Sequence, residues 1–591
     1  MNPARLQAAY TRARADLLAA RGPHGHWEGR LASSSLSTAT AISALAIVQR
    51  EAKAMELLPL IDAGVQYLAG QQNDDGGFGD TDKSHSNIAT TYLVIAAVHL
   101  AERKDEFAGL LSRAWRYIES KGAIPGLKKR YGIDKTFVVP IMTNLALAGL
   151  CDWKQISPLP FELACIPQSW YRFAQMPVVS YAIPALVAIG QAHYFHRKPW
   201  NPISRFVRGS CVEPSLRVLR QMQPDSGGYL EATPLTSFVV MSLASTGRAN
   251  HPVTESGVRF IKNSQRDDGS WPIDTNLATW VTSLSLNALV DDFQKEVDER
   301  CWQWLLSCQH RERHPFTGAD PGGWGWTDLG GAVPDADDTP GALLALDQRD
   351  DGHTLTEAET KAISTAASAG LRWLLSLQNR DGGWPTFCRG WGKLPFDRSG
   401  TDLTAHVLRA LHAWEWYDPD EFTPPMERGF RFLTNRQNPD GSWSPLWFGN
   451  QDHPEEDNPI YGTSKVLLAY RDTGRMAETP AVRGLEWLAK NQNADGSWGT
   501  SSELAAETGS VEETALAVEG LLACPDQAKY AVAVDRGLEW LVDRVERNQH
   551  QNSSPIGFYF AKLWYYEVLY PLIFTVSTLR IAVSTLGRAV E

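Results

Sequence analysis

Three aspartates crowd into four positions of the segment VPDADDTPGALLAL (333–346), directly before an apolar run that is typical of a helix. Closely packed carboxylates repel one another, so at least one of Asp335, Asp337 and Asp338 should hold its proton near neutral pH if the segment is buried. A neutral carboxylic acid in a dry pocket is a strong proton donor. Its substrates could include isolated alkenes, whose protonation leaves a carbocation that needs aromatic faces and protection from water.

Two other uses of this segment stay open. An aspartate is a common N-cap residue, although one would suffice to begin a helix. Carboxylates also bind Mg²⁺ or Ca²⁺, and an Asp-rich Mg²⁺ site for a diphosphate is compatible with the segment, although it lacks the glycine-spaced loop of an EF-hand.

A repeated phrase indicates which elements position these carboxyls. It occurs at 64–78, 257–271, 370–384, 429–443 and 484–498, with Gly and Gln always eight residues apart and a DG turn and an aromatic residue at its end. Each copy predicts a helix, and a smaller, more apolar helix follows each turn. Helix pairs repeated about every 55 residues predict α/α barrels with the apolar helices inside. We interpret both repeated residues as structural: the Gln side chain holds the turn in place (a brace), and the flat Trp ring is a surface on which the helices pack (a plate).

The repeats also align the inner helices with one another. In this alignment the inner helices share a Thr, which we call the Thr column. The residues two positions before it form a second column of proton-bearing or aromatic side chains: Trp280, Asp337, Asp402, Tyr461 and Glu512. Because the helix starts of a barrel converge on one mouth, the second column predicts a buried polar cluster with a Trp beside it. His406 lies one turn after Asp402 on the same face. Alone it would be an ordinary core or surface histidine, and only this register favours a role beside the acid.

Composition narrows the class of protein. The formal net charge of −12 argues against a nucleic-acid backbone as the main partner. The seven scattered cysteines predict a reducing cytosol. No secretory signal is evident, and the best candidate for a membrane span, residues 176–192, is short and contains Pro184, so we interpret it as a buried helix. The 22 tryptophans exceed what the repeats require, as expected if aromatic faces stabilise a cation.

On these motifs the chain resembles the squalene–hopene cyclase family of class II terpene cyclases over most of its length. The repeats resemble the family's QW motifs, and PDADDT (334–339) resembles its DxDD acid motif. TDLTAH (401–406) and IYGT (460–463) resemble two further segments of its active site. The resemblance implies that Asp337 is the proton donor, flanked by Asp335 and Asp338. It also implies that His406 activates the acid with support from Asp402, and that Tyr461 returns a proton through water.

The resemblance further implies an all-α fold of two α/α barrels, one of six hairpins and one less complete, with the active-site cavity between them. We expect the acid-bearing barrel at 1–28 and 276–591 and the second at 29–275. Neither a cofactor nor a metal is implied. The expected partners are a hydrophobic polyprenyl substrate and the cytoplasmic side of a membrane, touched peripherally, and a homodimer is possible. Side chains expected to stabilise the substrate cation are Trp280, Trp326, Phe387, Trp447, Tyr566 and Glu512.

Departures from the family's pattern concern the end of the reaction. The early segment SSLSTATA (34–41) lacks the family's acid, Thr233-Pro234 stands where a Gln-Pro pair is expected, and 196–215 is short for a membrane-dipping helix. Conversion of squalene to a hopene- or hopanol-type triterpene is the first expectation. A shorter or functionalised prenyl chain, such as a diphosphate or a prenylated ring, is the alternative. A prenyltransferase-like protein is less expected, because no Cys has an Asp two positions before it to bind zinc.

Overall fold

The computed structural model describes residues 1–132, 136–176, 178–290, 299–315, 317–350, 355–499, 509–559 and 562–588. Helices dominate these ranges, as predicted. In chain order they are α1 (Pro3–Ala19), α2 (Ser35–Ala52), α3 (Leu58–Ala69), α4 (Ile88–Leu100), α5 (Ala108–Ser120), α6 (Ala123–Tyr131), α7 (Val138–Leu147), α8 (Gln168–Phe173), α9 (Val178–His196), α10 (Pro202–Met222), α11 (Thr233–Leu243), α12 (Pro252–Asn263), α13 (Ala278–Ala288), α14 (Glu299–Ser307), α15 (Asp338–Asp350), α16 (Glu357–Leu377), α17 (Thr401–Ala413), α18 (Pro419–Arg436), α19 (Pro459–Asp472), α20 (Thr479–Lys490), α21 (Val511–Leu522), α22 (Ala531–Glu546) and α23 (Tyr570–Arg588).

Short strands form antiparallel pairs at the helix entrances. The pairs are β1 (Ser33–Ser34) with β2 (Trp271–Pro272), β3 (Trp384–Pro385) with β4 (Ser399–Gly400), and β5 (Gly557–Tyr559) with β6 (Leu563–Tyr565). Short 3₁₀ turns lie at Met55–Leu57, Trp153–Gln155, Phe161–Cys165, Tyr229–Glu231 and Glu415–Tyr417, and a π turn lies at Ala244–Arg248.

The helices form two rings, each with an inner and an outer layer. In the first ring, inner helices α2, α4, α7, α9 and α11 pack in succession, and α11 returns to α2. In the second ring, α13, α15, α17, α19, α21 and α23 do the same, and α23 returns to α13. The outer helix α1 packs on α23, so the N-terminal helix completes the second ring. The predicted all-α fold of two α/α barrels is therefore confirmed.

The sequence explains why one layer lies inside. Every residue from Ser35 to Val48 of α2 is buried, because the helix consists of small, apolar and hydroxyl side chains that need no contact with water. The outer helix α12 instead buries only one stripe, which includes Val253, Phe260 and Ile261. The segment predicted as a buried helix falls, from Val178 onwards, in the inner helix α9.

The repeated Gln and Trp hold each turn together. Gln437 Nε2 donates to the carbonyls of Gly441 at 2.8 Å and Pro480 at 2.9 Å, the latter on the next outer helix. The Trp443 indole donates to Leu433 O at 2.8 Å, and its backbone N–H donates to Thr463 Oγ1 at 3.0 Å. The Thr column of the inner helices thus anchors the repeated Trp. These contacts confirm the interpretation of the Gln as a brace and the Trp as a plate.

The repeated glycine lies inside each outer helix, and close packing explains why a larger residue does not fit there. A Cβ atom at Gly429 would lie 2.9 Å from Leu408 and 3.0 Å from the Trp384 ring. A Cβ atom at Gly484 would lie 2.8 Å from the Trp443 ring. The indole plate of one repeat therefore fills the space above the glycine of the next.

Within the described ranges, no helix is long and apolar enough to cross a membrane.

Candidate active site

The acid motif lies at the start of inner helix α15. Asp335 Oδ1 accepts the backbone N–H groups of Asp337 at 2.8 Å and Asp338 at 2.7 Å, so Asp335 caps the helix. The segment is fixed from both sides, because the Asp335 N–H donates to Trp324 O and the Ala336 N–H donates to Thr386 O. The N-cap alternative thus accounts for one of the three aspartates and leaves the other two for chemistry.

Asp337 contacts a histidine from the next inner helix. Its Oδ1 lies 2.9 Å from Nδ1 of His406 on α17, and the two side chains are 19% and 13% exposed. Burial lowers the pKa of His406 below its ordinary value, while the hydrogen bond to Asp337 opposes this shift. The Trp280 ring stands edge-on to the imidazole with 6.0 Å between centroids. The acid therefore has the hydrogen-bond partner that the register with Asp402 predicted.

Burial shifts the carboxyls around Asp337 towards their protonated forms. Burial raises the pKa of Asp335 to about 7 and that of Asp338 well above its ordinary value. Burial, and then the charge of Asp337, raise the pKa of Asp402 to about 7, although its carboxylate accepts the Leu446 N–H at 3.1 Å. Neighbouring buried carboxyls disfavour one another's ionisation, so the cluster favours protonated carboxyls beside Asp337.

Tyr461 completes the cluster from inner helix α19. Its side chain is 2% exposed and stacks on Phe448 with 3.9 Å between ring centroids. Burial first, and then the charges of Asp337 and Asp402, raise the pKa of Tyr461 well above its ordinary value. The structure therefore brings together Asp337, Asp402, Tyr461 and Trp280 of the predicted column, with His406 between them.

An aromatic wall continues from this cluster. Trp326 and Phe387 lie 6.2 Å apart between ring centroids, Phe387 and Trp447 lie 6.1 Å apart, and Trp447 and Tyr559 lie 6.2 Å apart. The wall reaches the first ring, because Tyr181 of α9 lies 5.1 Å from Phe387. The predicted lining residues Trp326, Phe387 and Trp447 thus lie on one surface between the two barrels.

Two predicted site residues make contacts outside this cluster. The Tyr566 hydroxyl donates to Asp82 at 2.9 Å, and Lys83 lies over its ring, while its neighbour Tyr565 packs on the wall residue Tyr559 at 5.0 Å. The reason is that successive side chains of an extended segment point to opposite faces. Glu512 is buried, and burial raises its pKa to about 7. Its carboxylate accepts the Ser554 N–H at 2.7 Å, so one of its oxygens holds a loop, and its role beside the acid stays a prediction.

Several lining residues were not predicted. Tyr570 accepts the Trp280 indole N–H at 3.1 Å and lies 3.2 Å from the Tyr565 hydroxyl. Lys465, one turn after Tyr461, lies over the rings of Tyr461 at 5.3 Å and Phe574 at 5.0 Å. The i+4 spacing from Tyr461 could have indicated Lys465.

In the parts of the chain that the structure describes, no group of three or more His, Cys, Asp or Glu side chains is placed to hold a metal ion.

Two α/α barrels that place a half-buried, histidine-bound aspartate beside an aromatic wall are the fold and site of a class II terpene cyclase. Family models agree with this assignment. The squalene-hopene cyclase C-terminal domain matches residues 276–580, and the N-terminal domain of the same family matches residues 10–205. The prenyltransferase alpha-alpha toroid domain matches residues 213–319. The chain belongs to the squalene–hopene cyclase family.

Individual relatives are distant. A probable squalene–hopene cyclase from Sinorhizobium fredii is 24% identical, over 97% of this chain and 96% of that protein. Enfumafungin synthase from Hormonema carpetanum is 24% identical over 84% of this chain, which spans only 42% of that protein's length. Among solved structures, ent-copalyl diphosphate synthase from Streptomyces platensis shares the fold over 99% of both chains, with a TM-score of 0.59 and 19% identity.

Proposed function

We propose that this enzyme protonates an alkene of a linear polyprene and cyclises the resulting carbocation. The substrate that we favour is squalene, and the product is then a hopene- or hopanol-type triterpene. The single observation that carries the proposal is the Asp337–His406 contact of 2.9 Å beside the aromatic wall. It supplies both parts of the chemistry, a proton donor and a surface that tolerates positive charge.

The first step is proton transfer from Asp337 to a terminal alkene carbon. As the proton leaves, Asp337 gains negative charge, which a hydrogen on His406 Nδ1 stabilises because hydrogen bonds to charged groups are the stronger ones. Asp402, with a pKa of about 7, can stay neutral there and so does not oppose the new charge. Tyr461 then provides the hydroxyl through which water returns a proton.

The later steps depend on the wall. Each ring closure moves the positive charge along the folded chain, and an aromatic face stabilises a cation by about 0.5–2 kcal/mol. Trp280 beside His406, and Phe387 and Trp447 on the wall, offer such faces. Because their rings also exclude water, the cation survives long enough to close further rings.

The alternative substrate is a shorter or functionalised prenyl chain. The departures at 34–41 and at Thr233-Pro234 favour it, because they alter the region expected to hold the end of a long chain. The detergent-solubilised protein should be incubated with squalene, with C15 and C20 prenyl diphosphates with and without Mg²⁺, and with a prenylated aromatic ring. Extracts are then compared by gas chromatography–mass spectrometry, after phosphatase treatment for the diphosphates. A squalene-derived cyclic product supports the first substrate, and turnover of the other chains alone supports the alternative.

We also propose that the enzyme meets its apolar substrate at a membrane surface. Large apolar side chains are exposed on α8, on α10 and in the segment just before α10, with Phe173 93% exposed, Phe206 77% and Trp200 99%. Arg172, Lys198 and Arg205 stand beside them in the sequence and suit anionic headgroups.

Co-sedimentation with phosphatidylcholine–phosphatidylglycerol vesicles tests this docking. The variant Trp200→Ser/Phe206→Ser should bind at least ten-fold more weakly than the wild type. Trp416→Ser is the matched control, because Trp416 is 64% exposed but lies at the end of α17 in the other barrel. Equal binding by all three proteins would contradict the docking proposal.

A further inference from the structure

A second pair of buried carboxyls lies where the first ring meets the second. Glu231 is 0% exposed and Asp274 is 5% exposed. The two belong to neighbouring backbone segments, because Ala232 pairs with Asp274 and the Thr233 N–H donates to Ile273 O at 3.0 Å. Burial, and then the charge of Glu231, raise the pKa of Asp274 well above its ordinary value, so the two carboxyls act on one another.

The loop that carries the acid motif also reaches this pair. Asp335 at the end of the loop donates its N–H to Trp324 O, and Gly331 in its middle donates its N–H to Glu231 Oε1 at 2.9 Å. One loop thus links the initiating acid to the second pair of carboxyls.

The pair also borders the aromatic wall. The indole of Trp326 acts directly on Asp274 and favours its ionised form, and the same ring lies 6.2 Å from Phe387. The phenol of Tyr559 lies within electrostatic range of both Asp274 and Asp338. Asp274 therefore borders the same aromatic wall as the proton donor Asp337, but at a different edge of it.

Structural hydrogen bonds do not use all of the pair's capacity. Glu231 Oε1 accepts from Ser226 Oγ at 2.8 Å and from Gly331, but Glu231 Oε2 is buried with no hydrogen-bond partner among the described residues. Among the described residues, neither carboxyl forms an ion pair with Lys or Arg. Burying a carboxyl pair without a cation is costly, and such sites are typical of function.

We propose that the Glu231–Asp274 pair is the base that ends the reaction by taking a proton from a carbon beside the final cationic centre. In this step a C–H bond breaks, its electron pair becomes the new C=C bond, and the proton goes to a carboxylate oxygen. Asp337 gives one proton and the pair receives one, and both exchange with water before the next turnover. Because two neighbouring buried carboxyls do not both ionise, the pair carries one negative charge and accepts one proton.

This inference rests on the proposed cyclase activity, and it predicts the product type. Termination by a base gives an alkene, whereas capture of the cation by water gives an alcohol. The negative charge of the pair also attracts the cation towards this side of the wall. The wild-type enzyme should therefore release mainly one alkene.

The experiment compares product distributions in D₂O for the wild type, Glu231→Gln, Asp274→Asn and the double variant, on whichever polyprene the wild type converts. The variants should lose alkene formation at least ten-fold and divert product to alcohols or alkene isomers, yet still incorporate one deuterium from the initiating acid. Asp274→Glu keeps a carboxyl and should restore alkene formation with an altered double-bond position. Asp328→Asn is the control, because Asp328 is exposed near the pair and should leave the products unchanged.

The outcomes separate the two proposals. A double variant with the wild-type rate and the wild-type alkene overturns the base assignment and leaves the cyclase proposal intact. A wild type that converts no polyprene overturns both. If Asp274→Asn and Glu231→Gln only slow the reaction, without changing the alkene-to-alcohol ratio, and Asp274→Glu rescues nothing, the pair is structural and the assignment is also overturned.

Discussion

Replacement of His406 by phenylalanine removes the hydrogen-bond partner of the acid and leaves Asp337 in place. The ring volume is similar, and the edge-on contact with Trp280 suits a second aromatic ring, so the fold should persist. A hydrogen bond to a charged group contributes about 1.5–3 kcal/mol. Since each 1.4 kcal/mol is a factor of ten in rate, the variant should form cyclic product about 10- to 150-fold more slowly.

The assay is the initial rate of cyclic product formation at saturating substrate, with thermal unfolding measured on the same samples. His412→Phe is the matched control, because His412 lies on the same helix but is 38% exposed and pairs with Glu415. The control should keep the wild-type rate. A His406→Phe rate within three-fold of the wild type, with the acid intact, would refute the role of His406 in activating Asp337.

Two further predictions concern stability. Gln437→Ala leaves the Gly441 and Pro480 carbonyls without their donor, so it should destabilise the fold by about 2 kcal/mol and lower the melting temperature, whereas the exposed control Gln7→Ala should not. Burial raises the pKa of Glu567 from 4.5 to about 8, so the native state binds the extra proton between these values and stability falls as pH rises through the interval. Melting temperatures of Glu567→Gln should depend less on pH there, and an unchanged profile would contradict the shift.

The repeats made most of the fold predictable. The constant Gly-to-Gln spacing places the end of each outer helix near the repeated Gln. The repeated Trp then donates its backbone N–H to a Thr of an inner helix, so short sequence patterns determine much of the geometry. The same regularity located Asp337, Asp402, Tyr461 and Trp280. It could do so because equivalent positions in a closed ring of helices meet at one mouth.

The remainder of the site depends on contacts that the repeat does not encode. Tyr565 rather than Tyr566 faces the wall because of the alternation of a short strand, which alignment on Pro571 did not resolve. Glu512 occupies the equivalent position in the alignment, but its carboxylate accepts the backbone N–H of Ser554 in a loop. Glu231 and Asp274 belong to no column and are 43 residues apart, although each follows the aromatic residue of a turn by two or three positions.

The central claim is that Asp337 donates the proton that starts cyclisation. The most direct measurement is product formation by Asp337→Asn in D₂O, because asparagine keeps the shape and the helix start but has no acidic proton. The variant should melt like the wild type, lose activity by about 10²- to 10⁴-fold or more, and incorporate no deuterium into product. A variant that still forms deuterated cyclic product at the wild-type rate would contradict the account.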